Sequence, residues 1–226
     1  MTSTKHIYPE YDNVPVKKPR RIYRFFKRLC DIFLSFLILL LTGWALLIIA
    51  LIVSISSHGT PLYKDPRIGY KGKEIKILKF RSMVVDANEH PEKYLNKKQM
   101  QQFIAERKVD NDPRITKIGK FIRKTSIDEL PQLLNIIGGS MTFVGPRPIT
   151  QGEFDTCFTE KQAKIYQSCR PGLTGLWQVS GRSDIEFSNG ERQRVELSYF
   201  SKRSFWFDMK IFFKTPIAVL KHRGAK

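Results

Sequence analysis

Asp128 and Glu129 are adjacent carboxylates in the run Thr125-Ser-Ile-Asp-Glu-Leu-Pro-Gln-Leu133, and Arg114, Lys117, Lys120, Arg123 and Lys124 precede them closely. An ionised aspartate can attack phosphorus and form an acyl phosphate, while nearby cations neutralise the phosphate oxygens. Ser126 to Glu129 also fits the capping-box pattern S-x-x-E. Pro131 argues against Ser126 as the cap, because a proline beyond the first turn lacks a needed N–H and crowds the preceding turn; with Asp128 as N-cap, Pro131 falls at a tolerated position. That register sets both acids at the positive end of a helix, where free N–H groups and the helix dipole attract phosphate and hold a carboxylate ionised. Taken alone, the pair is more simply a charged cap on a basic surface.

Two further segments tilt that balance. Gly145-Pro-Arg-Pro148 reads as a rigid turn presenting one guanidinium, and Arg170-Pro-Gly-Leu-Thr-Gly-Leu-Trp-Gln-Val-Ser-Gly-Arg182 sets two more around a glycine-rich loop with Trp177 as an aromatic plate. Loops of this kind let backbone amides approach an anion closely. Lys79 and Arg81 share one face of an expected strand and are, by themselves, ordinary solvated charges. Together these groups describe a phosphoanion site.

The elements that must position them are legible in outline. Glu74 to Ser82 reads as a strand, with Ile75 and Ile77 on one parity and Leu78 and Phe80 on the other, as though the register slips once at a bulge. Gly69 to Gly72 marks a turn, and Asp86 to Arg107 is a polar, helix-compatible surface excursion. Ile115, Ile118, Ile122 and Ile127 are loosely helical in spacing; Leu130, Leu133, Leu134 and Ile137 follow the helical period closely and stop at Gly138-Gly139. Tyr199 to Phe213 interleaves aromatics with Lys202, Arg203 and Lys210, which describes either an interfacial helix stopped by Pro216 or core packing.

From Ile32 to Ile55 the chain holds 24 residues without a charge, more than the ~20 a helix needs to match a hydrocarbon core. Seven cations precede this segment (Lys17, Lys18, Arg20, Arg21, Arg24, Lys27, Arg28) and seven follow it (Lys64, Arg67, Lys71, Lys73, Lys76, Lys79, Arg81). Basic residues prefer the cytoplasmic side, so balanced flanks favour a helix that enters, bends and returns over a simple span. Thr42-Gly43 is the candidate bend. The division this predicts is a basic cytosolic tail over residues 1–30, a re-entrant membrane helix over 31–58, and a cytosolic catalytic domain over 59–226 with C-terminal interfacial helices. Its fold class is α+β, mainly helical, with a small β-hairpin or sheet.

Composition limits the partners. In 226 residues, 39 Lys and Arg against 21 Asp and Glu give a net charge of +18, which asks for an anionic partner such as acidic lipid or a phosphorylated substrate. Nucleic acid would satisfy the charge, but no reader motif accompanies it. Cys30, Cys157 and Cys169 contain no CxxC pair, the four histidines no HExxH helix, and the chain no GxxxxGK[ST] loop, so zinc hydrolases and P-loop enzymes drop out.

The chain resembles the bacterial sugar transferases, the monotopic polyprenyl-phosphate glycosyl-1-phosphate transferases. The resemblance is carried by Lys79-Phe-Arg-Ser-Met83, Arg114 to Arg123, Thr125 to Leu133, Gly145-Pro-Arg-Pro148 and Arg170 to Arg182, and covers nearly everything from Arg28 to Lys226 in the family's order. It implies transfer of a sugar 1-phosphate from a UDP-sugar, glucose or galactose, to undecaprenyl phosphate, with UMP released. Such a step opens exopolysaccharide, capsule or O-antigen assembly at the cytosolic face of the bacterial inner membrane. By the same likeness Asp128 is the nucleophile and metal ligand, Glu129 its partner, and Mg2+ the counter-ion. Lys79, Arg81, Arg123, Arg147, Arg170, Gln178 and Arg182 stand at positions suited to phosphate or nucleotide contact. A re-entrant helix is implied too, although members commonly carry Ser-Pro where this chain has Thr42-Gly43, and Asp where it has Glu196. Members with extra N-terminal spans exist, and this chain reads as the short form. A homodimer is left open. The competing reading is a non-catalytic membrane scaffold whose positive charge holds anionic lipid.

Overall fold

A computed structural model describes residues 7–87, 89–106, 109–180 and 190–220. Its first element is a single helix, α1 (Arg21–Ser57), 37 residues and therefore roughly 55 Å long. It starts ten residues before the expected membrane segment and runs through Thr42-Gly43 without interruption; Thr42 Oγ1 donates back to the Ile38 carbonyl at 2.7 Å. By length and composition α1 can cross a membrane.

Both ends of α1 nevertheless lie against the rest of the protein. Near its start, buried Asp31 accepts from Thr142 Oγ1 at 2.7 Å and from the Phe143 N–H at 3.0 Å. Lys27 donates to the Val144 carbonyl and pairs with buried Asp208. Near its end, Val53 is fully buried with Phe80 and Ile122, and Leu46, Ile49 and Ala50 pack beside them. The opposite face stays bare: Phe33, Phe36, Leu40, Trp44, Leu47 and Leu51 are each more than 60% exposed. In water each such side chain forgoes about 1.5–3 kcal/mol of burial.

After α1 an antiparallel hairpin forms from β1 (Leu62–Ile68) and β2 (Glu74–Phe80), paired in one unbroken register from Leu62↔Phe80 to Ile68↔Glu74. The expected bulge is absent. Both parities of β2 are apolar because both faces are covered, Ile77 by the main core and Phe80 by the second half of α1. The surface excursion holds α2 (Lys97–Glu106).

Next come α3 (Lys117–Lys124) and α4 (Gln132–Ile137), joined by a single 3-10 turn over Ile127–Glu129. Leu133 and Ile136 are fully buried, whereas Leu134, which the sequence pattern placed on the core stripe, is 48% exposed. The helix ends at Gly138 as expected. Arg28 reaches from α1 to cap it, donating to the Ile136 and Ile137 carbonyls. Lys27 and Arg28, counted above as flanking cations, thus bind protein and not lipid.

The remainder alternates β3 (Thr142–Val144), α5 (Gln151–Cys157), α6 (Glu160–Tyr166), β4 (Gly172–Thr174), α7 (Leu176–Val179), α8 (Glu191–Lys202) and α9 (Phe205–Leu220). Strands β3 and β4 pair in parallel. A Cβ on Gly172 would lie 2.2 Å from the Gly145 N, so these glycines serve strand against strand and not the approach of an anion. True capping boxes start α5 and α6, at Thr150/Glu153 and Thr159/Gln162. Helix α9 does not stop at Pro216 but continues to Leu220. Pro216 lies on the exposed side, where water can serve the carbonyl it leaves without a donor. The exposed face of α9 carries Trp206, Lys210, Phe213, Lys214 and Ile217.

The N-terminal segment is a strap and not a loose tail. Gln162 Nε2 donates to the Tyr8 carbonyl at 2.8 Å, Thr159 Oγ1 to Asp12 at 2.6 Å, and the Lys17 N–H to the Phe200 carbonyl at 2.9 Å.

Candidate active site

Asp128 and Glu129 occupy the 3-10 turn between α3 and α4. Thr116 caps α3 by accepting from the Gly119 N–H at 2.9 Å, and a Cβ on Gly119 would strike the Ser82 carbonyl, so only glycine lets α3 sit so close to the end of β2. The helix ends at Lys124, and Ser126, left-handed at φ 57°, redirects the chain into the acidic turn. Pro131, not Asp128, is the N-cap of α4, and Ser126 makes no side-chain cap. The expected register therefore fails by three residues: the acids precede the helix in a turn of their own.

They face a cavity of about 1130 Å3. Lys79, Arg81, Lys120, Arg123, Lys124 and Arg147 line it with them, which brings four of the seven expected substrate-binding residues to one place. Arg123 Nε donates to Ser82 Oγ at 2.7 Å, Arg81 donates to the Thr60 carbonyl and hydroxyl at 2.8 Å each, and Lys79 lies 3.6 Å from Asp65. These contacts hold the charged heads of the three cations in place. Arg170 is exposed outside the cavity, and Gln178, also outside its lining, donates to the Leu173 carbonyl at 3.2 Å. Both belong to the segment that builds β4 and α7 beneath the turn. Arg182 lies outside the described residues. Arg114, expected to meet phosphate, is buried in a bidentate bond to Asp112 and stacks on Phe103. Nor is Trp177 an open plate: it is 8% exposed, with the guanidiniums of Arg147 at 5.3 Å and Arg192 at 4.8 Å over its ring.

Burial pushes the Asp128 carboxyl up to about 6, the neighbouring Glu129 adds to the rise, and Lys79 and Arg123 oppose it. Burial likewise lowers the Arg123 guanidinium, against the pull of Asp128. Desolvation therefore outweighs the helix-end potential expected to favour the ionised acid. At pH 7 the ionised form remains available, and a more basic oxygen is a better nucleophile. Among the described residues no three His, Cys, Asp or Glu side chains gather into a metal cage.

The sequence profile of the family described as bacterial sugar transferase matches residues 22–222. The chain belongs to this family. Among its relatives are the UDP-galactose-lipid carrier transferase of Erwinia amylovora, 43% identical over 204 residues that make up 89% of this chain and 42% of that one. The exopolysaccharide production protein ExoY of Rhizobium meliloti is 41% identical over 88% of this chain and 87% of its own. The undecaprenyl-phosphate galactose phosphotransferase of Salmonella typhimurium is 40% identical over 91% and 43%. The chain thus spans less than half the length of the Erwinia and Salmonella proteins and most of the Rhizobium one.

Sequence reasoning missed several residues of the cavity that Asp128 faces. Tyr63, Asp65 and Arg67 alternate along β1 and line it. Arg67 donates to Asp65 at 2.7 Å and to Glu153 at 3.3 Å, and Asp65 in turn faces Lys79. The signal was available: residues two apart on a strand share a face, and Tyr63 stands opposite Lys79.

Proposed function

We propose that this chain transfers a sugar 1-phosphate from a UDP-sugar, glucose or galactose, to undecaprenyl phosphate, and so initiates an exopolysaccharide, capsule or O-antigen type glycan. The observation that carries the reading is a half-buried carboxylate of raised basicity at Asp128, facing a cavity whose lining includes Lys79, Arg81, Arg123 and Arg147. The names of the Erwinia, Rhizobium and Salmonella relatives support the same donor, acceptor and polymer classes.

In the first step an Asp128 carboxylate oxygen attacks the sugar-linked phosphorus, the bond to the bridging oxygen breaks, and UMP leaves with the electron pair. Lys79, Arg81, Arg123 and Arg147 hold the phosphate oxygens as charge shifts toward UMP. In the second step an oxygen of undecaprenyl phosphate attacks the same phosphorus, a polyprenyl diphosphate sugar forms, and the Asp128 carboxylate is restored. The adjacent carboxylates Asp128 and Glu129 would hold Mg2+, a cation that needs only one or two protein carboxylates. When bound, the ion neutralises phosphate charge.

Helix α1 is read as a monotopic membrane anchor at the cytosolic face of the bacterial inner membrane, although it is unbroken at Thr42-Gly43, where the bend of a re-entrant helix was expected. Support comes from its bare apolar face together with the contacts that both of its ends make with the same body. The aromatic and basic face of α9 suits the headgroup layer, and the exposed Lys17, Lys18, Arg20, Arg21 and Arg24 suit anionic lipid.

Purified protein incubated with UDP-sugars, Mg2+ and undecaprenyl phosphate releases UMP on this reading, and quenching with donor labelled in its sugar-linked phosphate leaves label on Asp128. Release of UMP without labelling at residue 128 would overturn the covalent route; no UMP from any common donor would overturn the activity. Impermeant labelling of cysteines placed at positions 10 and 65 tests the topology, and reaction from opposite sides would establish a simple span.

A further inference from the structure

The turn that presents Arg147 is held from beneath by a buried carboxylate to which the chemistry above gives no part. Glu196, on α8, is 1% exposed. Its Oε2 accepts from the Arg147 backbone N–H at 3.4 Å, and its Oε1 is buried with no hydrogen-bond partner. Tyr166 of α6 donates its hydroxyl to the Arg147 carbonyl at 2.8 Å. Both backbone groups of Arg147 are therefore gripped by side chains, while its guanidinium lies over Trp177 and lines the cavity of Asp128.

A half-satisfied buried carboxylate is an expensive way to hold one N–H. A neutral glutamine would offer the same acceptor without the desolvated charge, so packing alone does not account for an acid here. The charge itself is addressed to guanidiniums: Arg147 from the turn and Arg192 from α8 draw Glu196 toward ionisation, against its burial and the charge of Glu153 on α5, with Tyr166 closing the remaining side.

We propose that Glu196 is a positioning residue of the transfer reaction, which through the Arg147 backbone sets where that guanidinium meets the donor diphosphate. The proposal rests on the transferase reading and on Arg147 as a phosphate contact. Burial brings the Glu196 carboxyl up to about 7, Arg192 and the Arg147 N–H acting against it, so the grip is sensitive to pH in the neutral range.

The test is a double-mutant cycle on the full chain in nanodiscs, reading UMP release against UDP-sugar concentration. Arg147→Ala and Glu196→Ala each lower kcat/KM about tenfold, and the double variant is no more than about twofold worse than Arg147→Ala. A purely structural Glu196 gives losses that multiply, toward roughly a hundredfold, and that result overturns the proposal. Glu196→Gln, which keeps an acceptor and removes the buried charge, supplies the reading that does not depend on Glu196→Ala folding. In the wild type KM rises as pH falls from 8 to 6, and in Glu196→Gln it is flat at the wild type's low-pH value. An unchanged pH profile in Glu196→Gln overturns the proposal. A wild type that releases no UMP removes the transferase reading and this one with it, whereas multiplying losses in an active enzyme remove this one alone.

Discussion

Asp112 and Asp128 are both withdrawn from water, and the fold treats them in opposite ways. At Asp112 burial raises the carboxyl, but Arg114 answers with bonds from Nε and Nη2 and a backbone N–H, and the net shift is downward. At Asp128 burial is reinforced by Glu129, the cations stand back on their own partners, and the carboxyl rises to about 6. The first acid clamps Arg114, whose Nη1 in turn donates to the Ala87 carbonyl. The second is left under-compensated, which on the proposed reading suits its oxygen to attack phosphorus. A carboxyl pattern in a sequence does not distinguish the two roles; the bidentate guanidinium bond that Asp112 receives does.

The largest way to break the comparison is chemical. Asp128→Asn lowers UMP release at least about a thousandfold, the scale expected when a nucleophile is removed, whereas Asp112→Asn in protein that remains folded leaves turnover within about tenfold. Retained activity in Asp128→Asn would end the asymmetry. Stability shows the reverse order. Removing one partner of a buried pair costs about 3–5 kcal/mol, so Asp112→Asn lowers Tm by roughly ten degrees or more.

Asp128→Asn raises Tm by a few degrees at pH 7. The sign follows from linkage: the folded-state value lies above the unfolded 3.8, so the native state holds its proton longer, and stability falls as pH rises through the window from about 4 to 6. The deficit persists above 6 and amounts to roughly 1–3 kcal/mol, which the neutral amide relieves. Thermal melts at pH 4 and pH 7 check it, since the gain disappears at pH 4.

A smaller effect sharpens the picture. With Asp128 titrating near 6, kcat/KM falls below that pH as the nucleophile is protonated; Glu129→Gln, by removing the adjacent negative charge, moves the acid limb downward, and Arg123→Met moves it upward. A pH profile of the residual activity reads both shifts, and limbs that stay in place would show that some other group titrates.

Much of the site was legible before the fold. Asp128, Glu129, Lys79, Arg81, Arg123 and Arg147 are assembled from four separated motifs, as their residue types suggested. Arg114 and Trp177 misled because a guanidinium or an indole has the same letter whether it faces phosphate or is sealed inside; both are buried, Arg114 on Asp112 two residues before it and Trp177 beneath Arg147 and Arg192, and only the fold decides that burial. Asp65 and Arg67 escaped notice because their meaning depends on cross-strand register.

The sequence alone determined what local chemistry dictates: the long apolar helix, the excess of positive charge, the stop at Gly138, and the acidic pair beside its cations. Those properties depend on side-chain type and on neighbours a few positions away. Tertiary structure decided the 3-10 turn that carries the pair, the partnering of each cation, the burial that lifts Asp128, and the strap of residues 8–17 across α6 and α8. Desolvation and ion pairing depend on what comes to lie within a few ångströms in space, and spacing along the chain carries no record of that distance.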